Sequence, residues 1–199
     1  MKLRFSLRRV IIDLLYIKEQ VYNRFKDDSR FKVLLNYLMK EDYLNDDSIT
    51  LPTFKEMELQ TGLKTYDLRK QLKEMYLLLF GYDTDFKFDF SEIEIQFTLE
   101  HYKNYVSFKC HRLPYLPRIG ENIRIPFIEA KINQSYFYVE KIRHVFEGRK
   151  QIVEINLKSG DFNSYWYYRK HKAKENNELG VMEFYDLYEF QIKDKLGVG

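Results

Sequence analysis

Apolar positions recur at helical spacing in the first forty residues, and in the second half of the chain they switch to alternation. Between residues 7 and 25, Ile11, Leu14, Leu15, Val21, Tyr22 and Phe25 return on one side of a helical repeat with Arg8, Arg9, Lys18 and Arg24 among them, predicting an amphipathic helix. The segment "KDDSR" interrupts it, and Phe31, Leu34, Leu35 and Leu38 mark one face of a second helix ending near "KEDYLNDD". From about Phe88 onward "IEIQFTL", "NYVSFKC", "ENIRIPF", "SYFYVEKI" and "QIVEINLK" place apolar residues two apart, separated by the turn-forming "RIGEN", "KINQS", "FEGRK" and "KSGD". Five or six short strands so spaced predict a small antiparallel β-barrel or sandwich, of SH3-like or OB-like size. The closing "VMEFYDLYEFQIKDKLGVG" fits a last strand or a short helix equally well.

Between the two regimes lies "LPTFKEMELQTGLKTYDLRKQLKEMY", residues 51–76. Thr53 and Glu56 have the spacing of a capping box, in which the threonine oxygen accepts from the third helical N–H while the glutamate reaches back, so a helix should open at Phe54. Gly62 should close it, because glycine accepts the left-handed conformation that turns a chain sharply out of a helix. Thr65 then stands as a candidate cap for the next helix, Asp67 falls in its positive first turn, and Leu68, Leu72, Met75 and Leu79 define its buried stripe. Two helices joined by a tight glycine turn form a helix-turn-helix.

This stretch resembles the winged helix-turn-helix of bacterial transcription regulators of the GntR type, which opens with Leu-Pro-Ser/Thr and a glutamate. Leu51, Pro52, Thr53, Glu56, Met57, Gly62, Leu63, Leu68, Arg69 and Leu72 match without a gap, over about 25 residues, with the helix near residues 31–39 preceding them. The resemblance implies that the second helix reads duplex DNA through the face opposite its apolar stripe: Lys64, Thr65, Tyr66, Arg69, Lys70 and Lys73. Arg69 suits a guanine edge or a phosphate, Lys70 and Lys73 suit phosphates, and Tyr66 suits the backbone or a thymine methyl. Such readers commonly act as homodimers, which makes the helix over residues 7–25 a candidate interface. The chain departs from the pattern in two places: Lys64 replaces the usual serine cap, and the basic, glycine-tipped wing is replaced by "FGYDTDFKFDFSEIE". Residues 81–102 hold one lysine against six carboxylates, which phosphate would repel.

Charge sharpens the picture further along. The chain has 199 residues, 45% hydrophobic, enough for one large core or two small ones, and its formal net charge is only +3. Yet residues 103–174 carry fifteen Lys and Arg against six Asp and Glu, and residues 175–199 carry two against six. In the basic region "FNSYWYYRKHKAK" sets Tyr165 and Trp166 beside Arg169, Lys170 and Lys172, a pattern that suits base stacking and phosphate contact as a second nucleic-acid surface. Read as a strand, the same residues alternate between core and solvated face, and that reading, or a protein-binding surface, accounts for them as well.

Catalytic motifs do not emerge. There is no Gly-rich phosphate loop, no Gly-x-Ser-x-Gly and no His-Glu-x-x-His; His101, His111, His144 and His171 are dispersed, and Cys110 is the only cysteine. The expectation is a non-enzymatic protein with no cofactor and no metal, without disulfides, and of cytoplasmic character. The opening "MKLRFSLRRVIIDLLYI" reads as helix and not as a leader, because Asp13 interrupts the apolar run and no small-residue cleavage site follows. No apolar segment approaches the roughly 20 residues needed to span a bilayer, so no membrane partner is expected. The expected fold is α+β: a winged-helix-like helical domain over residues 1–88, a basic aromatic-rich barrel over 89–175, and a terminal strand or helix over 176–199. Its expected role is DNA binding, as a transcription regulator or a replication or maintenance factor of a mobile element, in a bacterial or phage setting. The competing expectation is an assembly or accessory protein that uses the same domains to dock a protein partner.

Overall fold

The computed structural model describes residues 6–101 and 104–198. Met1 to Phe5, part of the opening helical expectation, lie outside the described residues, as do Tyr102 and Lys103. The chain divides into two compact units, residues 1–94 with 144–153, and residues 95–143 with 154–199.

Helices build the first unit: α1 (Leu7–Tyr16), α2 (Lys18–Phe25), α3 (Lys32–Lys40), α4 (Phe54–Thr61) and α5 (Thr65–Phe80). The expected helix over residues 7–25 is divided at Ile17, whose φ of −117° and ψ of 34° leave helical geometry. Ile17 stays buried, so the break keeps an apolar residue in the core while α2 starts afresh. Val10, Ile11, Leu14 and Leu15 of α1, Val21 and Phe25 of α2, Leu34, Leu35 and Leu38 of α3, Met57 of α4 and the α5 stripe form one continuous core. Tyr22, expected on the apolar side, is exposed instead. Every other residue placed on the apolar faces of these helices is buried.

The five alternating segments all become strands: β1 (Glu92–His101), β2 (Asn104–Cys110), β3 (Asn122–Arg124), β4 (Tyr136–Glu147) and β5 (Lys150–Ser159). Their order is β2-β1-β5-β4-β3. The β1–β2 and β3–β4 pairs are antiparallel. β1 and β5 start together, Glu92 N–H donating to the Arg149 carbonyl at 3.2 Å, and end together, His101 Nδ1 lying 2.8 Å from Ser159 Oγ, so these two strands run parallel. The expected closed antiparallel barrel is therefore an open mixed sheet. Closure fails because β2 and β3 remain edges, β3 is only three residues long, and the chain after β5 turns helical instead of supplying a closing strand.

Alternation still governs the sheet. Ile95, Phe97 and Leu99 of β1 and Val153, Ile155 and Leu157 of β5 are buried, and their neighbours in sequence are half-exposed or, at Glu100, exposed. Phe97 stacks on Phe108 across the β1–β2 register with ring centroids 5.0 Å apart, and Phe108 meets Phe127 edge-on. A 3-10 turn (Pro126–Ile128) and the short α6 (Glu129–Ile132) bury Ile128 and Ile132, with α6 against β2. The second unit closes with α7 (Ser164–Glu175), α8 (Val181–Asp186) and α9 (Glu189–Lys195), whose core is Trp166, Ala173, Leu179, Phe184 and Ile192. The stretch "SYWYYRK", read as a strand, is thus the start of a helix. Asn163 caps it, its side-chain oxygen accepting from Trp166 N–H at 2.9 Å, and Lys172 and Lys174 face the negative end.

Candidate nucleic-acid interface

Residues 51–65 fix the angle at which α5 leaves α4. The capping box closes on both sides: Glu56 N–H donates to Thr53 Oγ1 at 3.3 Å, and Thr53 N–H donates to Glu56 Oε2 at 2.7 Å. These bonds hold the Glu56 carboxyl below the ordinary glutamate range, the backbone bond from Thr53 first and its hydroxyl second. Gly62 takes φ +71°, and its N–H donates to the Glu58 carbonyl at 2.9 Å. In the turn, Leu63 N–H donates to Thr61 Oγ1 at 3.2 Å.

Thr65, expected to cap α5, occupies the first helical position instead, and Lys64 is the cap residue without a side-chain bond. The missing cap is supplied from α4, because the Glu58 carboxylate accepts from Thr65 N–H. A bond between helices replaces a bond within one, and it couples the start of α5 to α4 directly. No sequence pattern used for caps reaches seven residues back, so Glu58 is invisible to a local reading.

Above the buried stripe, Tyr66, Arg69, Lys70 and Lys73 form the solvent side of α5, Tyr66 being 75% exposed. At about 100° per residue these four lie within an arc of roughly 100° and span about 10 Å of helix axis. Lys64 is exposed at the turn and Thr65 is half-buried. Arg69 holds its guanidinium carbon 5.0 Å from the centroid of the Phe54 ring, which restrains it before any ligand arrives. Among the described residues no carboxylate forms an ion pair with Lys64, Arg69, Lys70 or Lys73, whereas the neighbouring Glu74 is engaged by Arg30. The face is cationic and its charges are available.

The return hairpin that the resemblance implies directly after α5 is absent: residues 81–91 form no strand. They lie as a strap whose aromatics pack in sequence, Phe80 on Phe88 at 5.3 Å and Phe88 on Phe90 at 6.0 Å. The hairpin that belongs to this unit is instead the tip joining β4 and β5, with Gly148 at φ +56°. Gln20, only 4% exposed, joins tip and strap, donating to the Gly148 carbonyl while its Oε1 accepts from Asp89 N–H at 2.8 Å. Arg149 pairs with Asp89 at 2.6 Å. Ser91 first and Arg149 second hold the Asp89 carboxyl below its ordinary range. Part of the strap's negative charge is thereby neutralised within the unit.

The second expected surface is distributed differently. Tyr165 and Lys172 of α7 are exposed, but Trp166 is 4% exposed and packs beneath Lys193, 5.2 Å from its ring centroid. Arg169 pairs with Glu178 at 2.6 Å, and Lys170 sits 4.5 Å from the Phe184 centroid. Burial first, and then the nearby Lys158, push the Lys170 ammonium below its ordinary range. Beside it Tyr167 donates to Glu140 at 3.0 Å and lies 3.1 Å from the Tyr138 hydroxyl, while Lys158 bridges Glu140 and Glu189. Burial, followed by the Tyr138 contact, raises the Tyr167 hydroxyl well above the usual tyrosine range. These groups satisfy one another and fasten α7 and α9 to β4 and β5.

Cys110 is half-buried, and burial raises its thiol above the ordinary value, which disfavours the thiolate. Among the described residues no set of three or more His, Cys, Asp or Glu side chains is placed to hold a metal ion, and no helix is long and apolar enough to cross a membrane. No family model, curated protein or solved structure matches the chain.

Proposed function

We propose that this chain binds duplex DNA through α4, the Gly62 turn and α5, as a transcription regulator or as a replication or maintenance factor of a mobile element. The observation that carries this reading is the unpaired cationic face of Tyr66, Arg69, Lys70 and Lys73 on a helix whose entry is fixed by Glu58. An α-helix of this kind fits the major groove of B-DNA. Arg69, held over Phe54, reads a guanine edge or clamps a phosphate; Lys70 and Lys73 take phosphates; Tyr66 contacts the backbone or a thymine methyl. Lys64 and Thr65 lie where the first turn of the helix meets the duplex. Two copies reading paired half-sites complete the proposal.

Binding to mixed-sequence duplex DNA, measured at about 50 and about 200 mM salt, tests it. The expected result is affinity that falls with salt in the native chain, and a slope of log K against log salt flatter by about 0.9 for each phosphate contact removed in an Arg69→Ala/Lys70→Ala/Lys73→Ala variant. Sedimentation that shows only monomer, with and without duplex, would remove the homodimer. A protein-docking role is the second reading, favoured by the exposed Met182 and Tyr185 of α8, Tyr188 at the cap of α9 and Phe190 within it. Absence of DNA binding at the lower salt would turn the search to a protein partner.

A further inference from the structure

A cavity of about 510 Å³ opens in the first unit between the end of α1, the C-terminal half of α5 and the β4–β5 tip. Its walls are aromatic: Tyr16, Tyr76, Phe80 and Phe146, the last half-exposed and turned to solvent. Two carboxylates, Asp13 and Glu147, stand at its edge. Its size falls in the range of small-molecule sites.

The walls are held in place. Tyr76 and Phe80 pack with centroids 4.8 Å apart, and the contacts continue through Phe88 and Phe90 to Phe146, so one row of rings joins two walls of the cavity. The tip is tied to α1 by Gly148 N–H donating to the Tyr16 carbonyl at 2.7 Å. Tyr76 is hydrogen-bonded to Asp13, which also pairs with Arg9 at 2.9 Å. Arg9 offsets one of the two carboxylates, and Glu147 has no ion pair among the described residues.

We infer that this cavity binds a small organic cation, an alkylated or quaternary ammonium. Aromatic rings carry negative charge on their faces, and four rings lining one space favour a bulky, weakly hydrated cation over a neutral body of the same shape. The nearby carboxylates add attraction without having to contact the ligand. An inorganic anion is disfavoured by the same groups, and a metal ion finds no convergent donor set there. The site uses the C-terminal half of α5 and leaves Tyr66, Arg69, Lys70 and Lys73 untouched, so it does not depend on the DNA-binding proposal.

Choline is the probe, compared with its uncharged isostere bearing a tert-butyl group in place of trimethylammonium, each titrated into the full chain at low salt and followed by ring-proton NMR. Saturable shifts of the Tyr16, Tyr76 and Phe146 resonances by choline are expected, with the neutral isostere about tenfold weaker, the ratio that two partly exposed cation–ring contacts together confer. Phe146→Ala should weaken choline about threefold to fivefold. Glu147→Gln, which leaves the ring row intact, should weaken choline several-fold and leave the isostere unchanged. Equal binding of choline and the isostere, or no saturable shift from choline in the native chain, would overturn the inference, and so would full choline binding by a folded Phe146→Ala variant.

Discussion

Two side chains illustrate what a residue reveals locally and what it withholds. Thr53 and Glu56 form their capping box three residues apart, and every atom in it is implied by the spacing. Thr53→Ala should cost about 1 kcal/mol of stability in chemical denaturation. Because the Glu56 carboxyl is depressed in the folded chain, its contribution is complete above the ordinary glutamate range and is lost as pH falls below it. The decline of the unfolding midpoint with acid should therefore be shallower in Glu56→Gln than in the native chain, and a pH series of melts checks this. Gln20 is the opposite case. Its partners lie 69 and 128 residues away, so no window of sequence distinguishes it from a glutamine on a solvated helix face. Gln20→Leu should destabilise by about 1–3 kcal/mol, since the apolar replacement leaves the Gly148 carbonyl and the Asp89 N–H without their partner. A loss below a few tenths of a kcal/mol would mean that water replaces the amide.

Elements were legible where one physical rule decided them. The alternation of β1 and β5 arises because one face of each strand is buried, and period two follows from that, whereas β4 buries Phe137, Tyr138 and Val139 in succession and so is covered on both faces there. The helical turn was equally open to reading, since Gly62 must sit at positive φ and nothing stands within 4 Å of where its Cβ would be. Gly62→Ala should thus cost about 1 kcal/mol, purely from backbone conformation, and should reduce any DNA affinity by tilting α5; thermal melts and titrations of the same variant read the two effects separately. Helix α7 was misread because Tyr and Trp favour strands and dominate its first half. Asn163 before it and the lysines at its end were the contrary signals, and they won because the buried side of a helix accommodates Trp166 and Ala173 seven residues apart. The break at Ile17 had no signal, as neither glycine nor proline marks it.

At the scale of the molecule, counting charge by sequence window overstated the basic surface. Several of the cations in residues 103–174 are engaged within their own unit, Arg143 by Glu154, Lys158 by Glu140 and Glu189, and Arg169 by Glu178, while the lysines and arginine of α5, in a window of unremarkable charge, form no ion pair among the described residues. The division of the chain was hidden for a related reason. Residues 144–153 belong with the helices although residues 95–143 separate them from residue 94, and β4 and β5 each continue from one unit into the other. Because β4 and β5 belong in part to each unit, a loss of stability in the first unit is expected to carry over into the second. The sole tryptophan, Trp166, reports on the second unit, and fully buried Met57 can be truncated in the first. Met57→Ala should cost about 2–5 kcal/mol. If unfolding is shared, the helical circular-dichroism transition and the Trp166 fluorescence transition will move down in denaturant by the same amount. A fluorescence midpoint that stays at its native value while the helical signal shifts would instead show the second unit holding its fold alone, with the β4–β5 tip frayed from it.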